Sequence, residues 1–387
     1  MGAMKNIAQN ATTRRQFMSG AAMLSGGLSV GMGGAAKGLA AETGAAGPGT
    51  GDAAAQADGA SAGALRETSF LATLTDAEFT AYQRRRREDL WGLLGDLPWR
   101  HVPAEPKVVS REDHGTYTLE RLVLDLNGVE PVPAVLLIPK KIKKPAPGML
   151  FIHWHAGQYY LGKEQLLKGT LQQPAYAPVM AELGIVTLAI DSWCFGERQH
   201  EKDGLQGEQD AFKLMLWRGQ VLWGMMMFDE YRAMDYLASR PEVDAQNLGT
   251  TGMSMGSTKA WWLAALDPRV KLTVDICCLT DAEALIAANG LFHHGIYYYV
   301  PSLLKEFDTT EVNELIVPRP RLSVNGRKDL LTPPGGVEKI RDNLMPLYGK
   351  FGREEDCHVE LFDCAHEELP VMRSLIIDWM RRYMAEG

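Results

Sequence analysis

The sequence has few cysteines, and they follow no recognisable pattern. There are five of them among 387 residues, and no two are spaced as C-x-x-C. With an odd number and no such pair, a disulfide framework is not expected. Cys277 and Cys278 lie in a strand-like run and are interpreted as small buried hydrophobic residues. A disulfide between Cys357 and Cys364 is the one pairing that the sequence leaves open.

The sequence also has no excess of positively charged residues. The net charge is -8, with 40 Lys and Arg residues against 48 Asp and Glu residues. Because affinity for nucleic acid comes mainly from basic side chains that neutralise phosphates, no nucleic-acid partner is expected. The arginine run 84–87 is followed at once by Glu88 and Asp89. It is interpreted as a solvated or salt-bridged helix face.

No apolar run after residue 40 is long enough to span a bilayer. Residues 1–40 are interpreted as a twin-arginine export signal, in which Arg14 and Arg15 precede a weakly apolar stretch, 17–36, and a cleavage site before Ala41. The alternative is a disordered basic N-terminus of a cytoplasmic protein.

The export signal predicts that the twin-arginine translocation machinery carries the folded protein into the periplasm or the exterior of a bacterium. Residues 41–66 are rich in Gly, Ala, Thr and Asp and are predicted to be a flexible linker. Residues 67–387 are then expected to form a single catalytic domain.

The motif H-E-x-x-H and dense clusters of His and Asp are absent as well. One candidate metal site remains. His153 and His155 are two apart, so on a strand they would face the same side, and Asp191 could supply a third ligand. A metal-dependent hydrolase is therefore kept as an alternative, although no metal is expected.

What the sequence does contain is an alternation of short apolar runs and longer helix-like stretches. The predicted strands are 117–126, 132–138 (after a turn at Asn127-Gly128), 148–154, 185–190, 270–278, 321–325 and 359–362, and the predicted helices are 76–94, 178–183, 216–238, 258–266 and 369–384. Thr75 is the predicted N-cap of the first helix. This pattern predicts a mostly parallel sheet covered by helices on both faces. Reactive residues gather at the carboxyl ends of the strands in such sheets.

The pattern G-x-S-x-G occurs at Gly252–Gly256, between a short strand-like run and a helix-like one. This is the context of a nucleophile elbow, in which glycines let the two elements close around a strained serine. Two more matches, 27–31 and 59–63, lie in Gly- and Ala-rich sequence without strand or helix signals and are interpreted as chance. Ser254 is the predicted nucleophile.

A nucleophilic serine needs a base and an orienting acid. Asp329 follows the strand 321–325, and His366 follows the strand ending at Phe362, so both are predicted at the same sheet edge as Ser254. The weaker candidates are His358, at the opposite end of its strand, Asp363, and an acid after the strand ending at Cys278, which would be Asp281 or Glu283.

The oxyanion of an acyl-transfer intermediate needs two amide donors. Met255, the residue after the nucleophile, is the predicted first donor. The second is expected from the loop 153–157, with His155 or Ala156 as equal candidates.

Ser254 in its elbow, Asp329, His366 and the histidine-containing loop resemble the α/β-hydrolase fold, from about Tyr117 to the C-terminus. Further stretches resemble the branch of dienelactone-hydrolase-like and acetyl-xylan-esterase-like serine esterases: 135–139, 191–198, 267–270 and 317–320. Dienelactone hydrolases use a cysteine nucleophile, so Ser254 favours the esterase side. The sequence departs from the family at Ser257, where a second glycine is frequent.

The resemblance implies a carboxylic ester hydrolase that forms an acyl-enzyme and needs no cofactor. Two inserted segments, 199–220 and 280–317, are predicted to build the substrate site, with Trp193, His294 and Tyr298 as candidate binding residues. The expected substrate is an acylated carbohydrate or another small ester. A serine peptidase or amidase, an enzyme acting on lactones, and a non-catalytic binding protein are also compatible with the sequence.

Overall fold

The computed structural model describes residues 70–100, 106–142, 145–199 and 204–385. The expected export signal, 1–40, the linker, 41–66, and the predicted domain boundary near 66 lie outside these residues. Within them, no helix combines the length and the apolar character needed to cross a membrane.

The core of the fold is a nine-stranded sheet. Its strands are β1 (Lys107–Asp113), β2 (Tyr117–Leu124), β3 (Val132–Pro139), β4 (Ala146–Ile152), β5 (Val186–Ile190), β6 (Val243–Met253), β7 (Val270–Ile276), β8 (Arg321–Gly326) and β9 (Cys357–Phe362). They are arranged in the order β1-β2-β3-β5-β4-β6-β7-β8-β9. In this order, the first three neighbouring pairs, β1/β2, β2/β3 and β3/β5, are antiparallel. The other five pairs, from β5/β4 to β8/β9, are parallel. The predicted mostly parallel sheet is confirmed.

Helices cover both faces of this sheet. They are α1 (Asp76–Gly92), α2 (Gln165–Lys168), α3 (Ala177–Leu183), α4 (Gly204–Trp217), α5 (Leu222–Ser239), α6 (Met255–Leu266), α7 (Ala282–Ala287), α8 (Leu303–Glu306), α9 (Thr309–Glu314), α10 (Pro334–Lys350) and α11 (Pro370–Met380). Short 3₁₀ helices lie at Gly162–Glu164, Gly196–Arg198, Leu291–His293, Ile296–Tyr298 and Glu354–Asp356, and a π-helix at Arg381–Ala385. Thr75 caps α1 in a capping box with Glu78, as predicted.

Two hydrophobic clusters hold these layers together. Leu150 and Ile152 of β4 belong to the cluster that contains α1, α5, α6 and α10. Met149 and Phe151 of the same strand belong to the cluster that contains α3 and α11. Since successive strand residues point to opposite faces, β4 is buried on both sides, which explains its continuous apolar sequence.

Several elements differ from the sequence-based predictions. The predicted helix 216–238 is two helices, α4 and α5, because Gly219 adopts a left-handed conformation with φ of 78° between them. The predicted turn at Asn127-Gly128 is a longer loop in which Asn127 Oδ1 accepts from the amides of Val129 and Glu130. The strand β7 ends at Ile276, before Cys277 and Cys278.

The structure also tests the predictions made for the cysteines. Cys277 and Cys278 are fully buried, as predicted. Cys357 begins β9 and Cys364 follows its end, so the strand separates their backbones by roughly 20 Å at about 3.3 Å per residue. Because a disulfide requires Cα atoms within about 7 Å, the pairing left open by the sequence is wrong. All five cysteines are free.

Candidate active site

Ser254 lies at the junction of β6 and α6, with φ of 57° and ψ of -118°. Non-glycine residues rarely adopt this conformation, which stores backbone strain. A Cβ atom added to Gly256 would lie 2.1 Å from the carbonyl oxygen of Ile152, and one added to Gly252 would lie 2.5 Å from the same oxygen. Both glycines are therefore required by the close approach of β4 to this junction.

Asp329 and His366 come together from the loops after β8 and β9. His366 Nδ1 lies 2.7 Å from Asp329 Oδ2. The other carboxylate oxygen of Asp329 accepts from the amide of Leu331 at 2.9 Å. Since a carboxylate can only accept, Nδ1 carries the ring proton and Nε2 of His366 presents its lone pair. That Nε2 atom is buried and has no hydrogen-bond partner in the part of the chain that the structure describes.

Cys277 lies between Ser254 and the Asp329–His366 pair and contacts both. The amide of Ser254 donates to the carbonyl oxygens of Ile276 and Cys277, at 2.9 and 3.1 Å. The thiol of Cys277, a carboxylate oxygen of Asp329 and a ring nitrogen of His366 lie within 4.8 Å of one another. No hydrogen bond joins the Ser254 hydroxyl to His366 among the described residues. In unliganded hydrolases this bond is often long and tightens only with substrate.

The weaker acid and base candidates have other partners. His358 pairs with Glu360 at 2.9 Å, and the exposed Asp363 pairs with Lys328 at 2.7 Å. Asp281 caps α7 and forms an ion pair with Lys339 at 3.0 Å. The sequence Ala282-Glu283 places Glu283 in the first turn of that helix, where its side chain is exposed. Among the described residues, none of them forms a hydrogen bond with His366, whose partner is Asp329.

The predicted oxyanion donors lie on two elements. Met255 is the first residue of α6, a position whose amide has no partner within the helix. Ala156 has φ of 47°, and the amides of His155 and Ala156 donate no hydrogen bond within the described residues. The amide of Trp154 donates to Gln165 Oε1 at 2.9 Å and is not available. The choice between His155 and Ala156 stays open.

The candidate metal ligands are engaged elsewhere. His153 Nε2 accepts from the amide of Ser192 at 3.0 Å, and Nδ1 lies 3.0 Å from the carbonyl oxygen of Trp154. His155 pairs with Glu208, and Asp191 with Lys163 at 2.8 Å. Burial lowers the pKa of His153 to about 3, so the ring is neutral. The three side chains therefore do not form the metal site that the sequence left as an alternative.

The three candidate binding residues have different environments. Trp193 is buried, and the guanidinium of Arg198 lies 4.5 Å from its ring centroid. His294 stacks on Tyr298 at 4.4 Å, and its Nε2 lies 2.9 Å from the carbonyl oxygen of Leu331, beside Asp329. Burial lowers the pKa of His294.

Tyr298 also lines an apolar cavity of about 370 Å³ between α6 and the inserted segment 280–317. The two tryptophans Trp261 and Trp262 form another part of its wall. Ser254 and His366 are not among its lining residues. The insertion thus encloses this cavity together with α6, the helix that begins directly after Ser254.

Two residues near the site were missed in the sequence. The Trp154 ring lies 6.2 Å from the His366 ring, at an interplanar angle of 17°. Glu208 on α4 contacts His155. Glu208 belongs to no motif, and only its place in the polar segment 199–220 pointed towards the site.

The chain matches known proteins over most of its length. The sequence profile of the abhydrolase family matches residues 64–331. The protein of Bacillus subtilis (strain 168) named "Putative hydrolase YtaP" is 42% identical over 301 residues, which cover 77% of this chain and 99% of that protein.

Solved structures of lower identity share the fold. The "putative acetyl xylan esterase" of Bacteroides fragilis NCTC 9343 is 18% identical, with a TM-score of 0.61 over 82% of this chain and 85% of that one. Glucuronoyl esterase from Solibacter usitatus is 15% identical, with a TM-score of 0.58 over 79% of this chain and 93% of that one. The wound sheet is therefore the predicted α/β-hydrolase fold, and the profile match and the 42% identity show that the chain belongs to the abhydrolase family.

Proposed function

We propose that this protein is an exported serine hydrolase that cleaves a carboxylic ester through an acyl-enzyme intermediate. The observation that carries the proposal is the state of His366: its Nε2 atom is buried and unpaired in the described residues while Asp329 holds its ring. The thiol of Cys277 lies within 4.8 Å of this pair, and the carbonyl oxygen of Cys277 accepts from the amide of the strained Ser254. A buried ring nitrogen without a partner is costly, and a general base needs such an atom free for the proton it accepts.

In the proposed reaction, His366 Nε2 takes the proton of the Ser254 hydroxyl as its oxygen attacks the ester carbonyl. The amides of Met255 and of His155 or Ala156 stabilise the oxyanion. His366 returns the proton to the leaving alcohol, and a water molecule activated by the same ring then releases the acid. Asp329 keeps the proton of His366 on Nδ1 throughout. The reaction as written requires no cofactor.

The proposed substrate is an acylated carbohydrate or another small ester. The names of two structures with this fold, an acetyl xylan esterase and a glucuronoyl esterase, support that choice. His294 and Tyr298 stand beside the acid loop and are the proposed substrate-contacting aromatic residues.

The nucleophile is tested by labelling with a fluorophosphonate and by hydrolysis of acetyl, feruloyl and methyl-ester sugars. Ser254→Ala should abolish labelling and lower kcat by several orders of magnitude. Ser257→Ala is the matched control, since Ser257 is buried in the same helix and its hydroxyl has no hydrogen-bond partner in the described residues. Full activity of Ser254→Ala, or labelling of another residue, would exclude this mechanism.

Export is tested separately from catalysis. Replacing both arginines of the signal, Arg14→Lys with Arg15→Lys, should retain the protein in the cytoplasm, measured by fractionation of a bacterium that has the twin-arginine pathway. Unchanged export of this variant would contradict the proposed location and leave the proposed chemistry intact.

A further inference from the structure

The buried carboxylate of Glu208 lies next to the candidate oxyanion loop, 153–157. Glu208 is fully buried on α4. Its Oε2 atom lies 2.9 Å from His155 Nε2 and accepts from the hydroxyl of Tyr159 at 3.1 Å. The proposed mechanism uses neither the carboxylate nor the His155 ring.

The hydrogen bonds determine where the proton of His155 lies. The amide of Gly157 donates to His155 Nδ1 at 3.1 Å, so Nδ1 carries no proton. The ring proton is then on Nε2 and is donated to Glu208. Because both ring nitrogens are occupied, His155 is not a proton shuttle, and its ring links α4 to the backbone of Gly157.

Aromatic rings enclose His155 on its other sides. Tyr297 stacks on it at 5.2 Å with an interplanar angle of 22°. Tyr159 and Phe195 approach edge-on at 4.8 and 5.1 Å. These rings restrict the plane of the imidazole, and Glu208 Oε2 fixes its rotation within that plane.

This arrangement holds a strained loop. Ala156 and Gly157 follow each other with φ of 47° and 65°, and a non-glycine residue with positive φ costs about 1–2 kcal/mol. The loop keeps this shape while the amides of His155 and Ala156 point to no protein acceptor among the described residues. Some contact must offset the strain, and the bond from Gly157 to the His155 ring lies directly beside it.

The burial of the Glu208 carboxylate lowers the stability of the folded protein. Its Oε1 atom is buried and has no hydrogen-bond partner in the described residues. A buried carboxylate with one unsatisfied oxygen destabilises the folded state, so its presence points to a role other than stability.

We propose that Glu208 is a positioning residue for the oxyanion hole. It holds the His155 ring, the ring holds Gly157, and the loop between them presents its free amide to the oxyanion. The inference rests on the proposed function of Ser254 and adds a residue from a separate helix to it.

The test compares variants at both ends of the link. Glu208→Leu removes the acceptor, and Glu208→Gln keeps an oxygen acceptor without the charge. His155→Phe keeps a ring in the aromatic enclosure and removes both nitrogens. Tyr159→Phe is the matched control, because it removes the other donor to Oε2 and leaves the bond to His155 intact. The readouts are kcat and KM for whichever of the acetyl, feruloyl and methyl-ester sugars the wild type cleaves fastest, and the second-order rate of fluorophosphonate labelling.

Loss of an oxyanion donor lowers kcat by about 10²–10³-fold. Glu208→Leu and His155→Phe should each lower kcat and the labelling rate by on the order of 10²-fold with KM within about twofold, since the oxyanion forms only in the transition state. Glu208→Gln and Tyr159→Phe should stay within about fivefold of the wild type. The double variant Glu208→Leu with His155→Phe should be no slower than either of these two single variants, because both changes break the same link.

Two results would overturn the positioning role: wild-type kcat in Glu208→Leu or His155→Phe, or a loss that appears in KM alone. If Glu208→Leu does not fold, His155→Phe decides the question by the same criteria, since it breaks the same link from the other end. A wild-type protein that neither binds fluorophosphonate at Ser254 nor cleaves esters would instead contradict the proposed function.

Discussion

At the scale of single residues, the candidate site depends on which nitrogen of His366 carries a proton. Asp329 accepts from Nδ1 at 2.7 Å and is itself held by the amide of Leu331. The buried carboxylate thus selects the tautomer in which Nε2 can accept a proton from a nucleophile.

Asp329→Asn should lower kcat by about 10⁴-fold, because an amide can donate to Nδ1 and so favour the wrong tautomer. The measurement is ester hydrolysis at neutral pH. Asp363→Asn is the control, since Asp363 is exposed and pairs only with Lys328 in the described residues. Comparable activity of Asp329→Asn and wild type would show that another group orients His366.

A second residue-scale prediction concerns His153, which is neutral in the folded protein. Its pKa falls from 6.5 to about 3 on burial. Between these values the unfolded chain binds a proton that the folded protein does not, so stability rises with pH in this window and is lost as the pH falls below about 6.5. Between pH 6.5 and 5 the loss from this group should be about 1.6 kcal/mol.

Urea denaturation at the two pH values measures this loss. His153→Gln should reduce the pH dependence of the free energy of unfolding by most of that amount. An identical pH dependence in wild type and His153→Gln would show that other groups cause the acid sensitivity.

At the scale of elements, the junction of β6 and α6 depends on close approach to β4. The carbonyl oxygen of Ile152 lies only 2.1 Å from the position of a Cβ atom on Gly256, and this oxygen belongs to the backbone, which cannot rotate away. The strand pair and the helix must therefore separate if the glycine is replaced.

Gly256→Ala should lower the free energy of unfolding by about 3 kcal/mol, the upper part of the range for overpacking, and abolish fluorophosphonate labelling. Thermal denaturation and labelling measure the two effects. Gly335→Ala is the control, because a Cβ there meets no atom within 4 Å. A stable, labelled Gly256→Ala protein would show that the junction tolerates a wider separation.

At the scale of the whole molecule, buried charges connect the layers beneath the site. Lys259 of α6 lies 2.5 Å from Glu230 of α5 and 2.6 Å from the hydroxyl of Ser192, after β5. Arg198 pairs with Asp229 of α5 at 2.8 Å and with Glu130 at 2.7 Å. These ion pairs are buried, so an unpaired member would stay buried too.

Glu230→Leu should destabilise the protein by about 3–5 kcal/mol, because it leaves the Lys259 ammonium without its carboxylate. The measurement is chemical denaturation. Asp378→Ala breaks the exposed pair with Arg381 and should cost less than about 1 kcal/mol. Equal costs for the two variants would show that the buried pair is compensated by other groups or by water.

Much of the fold followed from local patterns. Strands buried on both faces have continuous apolar sequences, so their alternation with helices predicted a mostly parallel sheet. The strand β1 was missed because it is an exposed edge strand with the sequence KVVSRED, which lacks an apolar alternation. The helix α10 was missed because two glycines near its start and Pro346 inside it weaken the helical signal.

For the site, the sequence by itself determined the strained turn at Ser254, since glycines at fixed spacing between a strand and a helix encode a backbone requirement. It also predicted Asp329 and His366 from their places after strands, and their catalytic roles stay a prediction. Only the tertiary structure decided which partners the other polar residues take: His153 bonds to the backbone and His155 to Glu208. It also decided that Cys364 lies too far from Cys357 for a disulfide. The physical reason is that backbone strain and strand burial are local in the chain, whereas a buried hydrogen-bond partner can come from any segment that packing brings within about 3 Å.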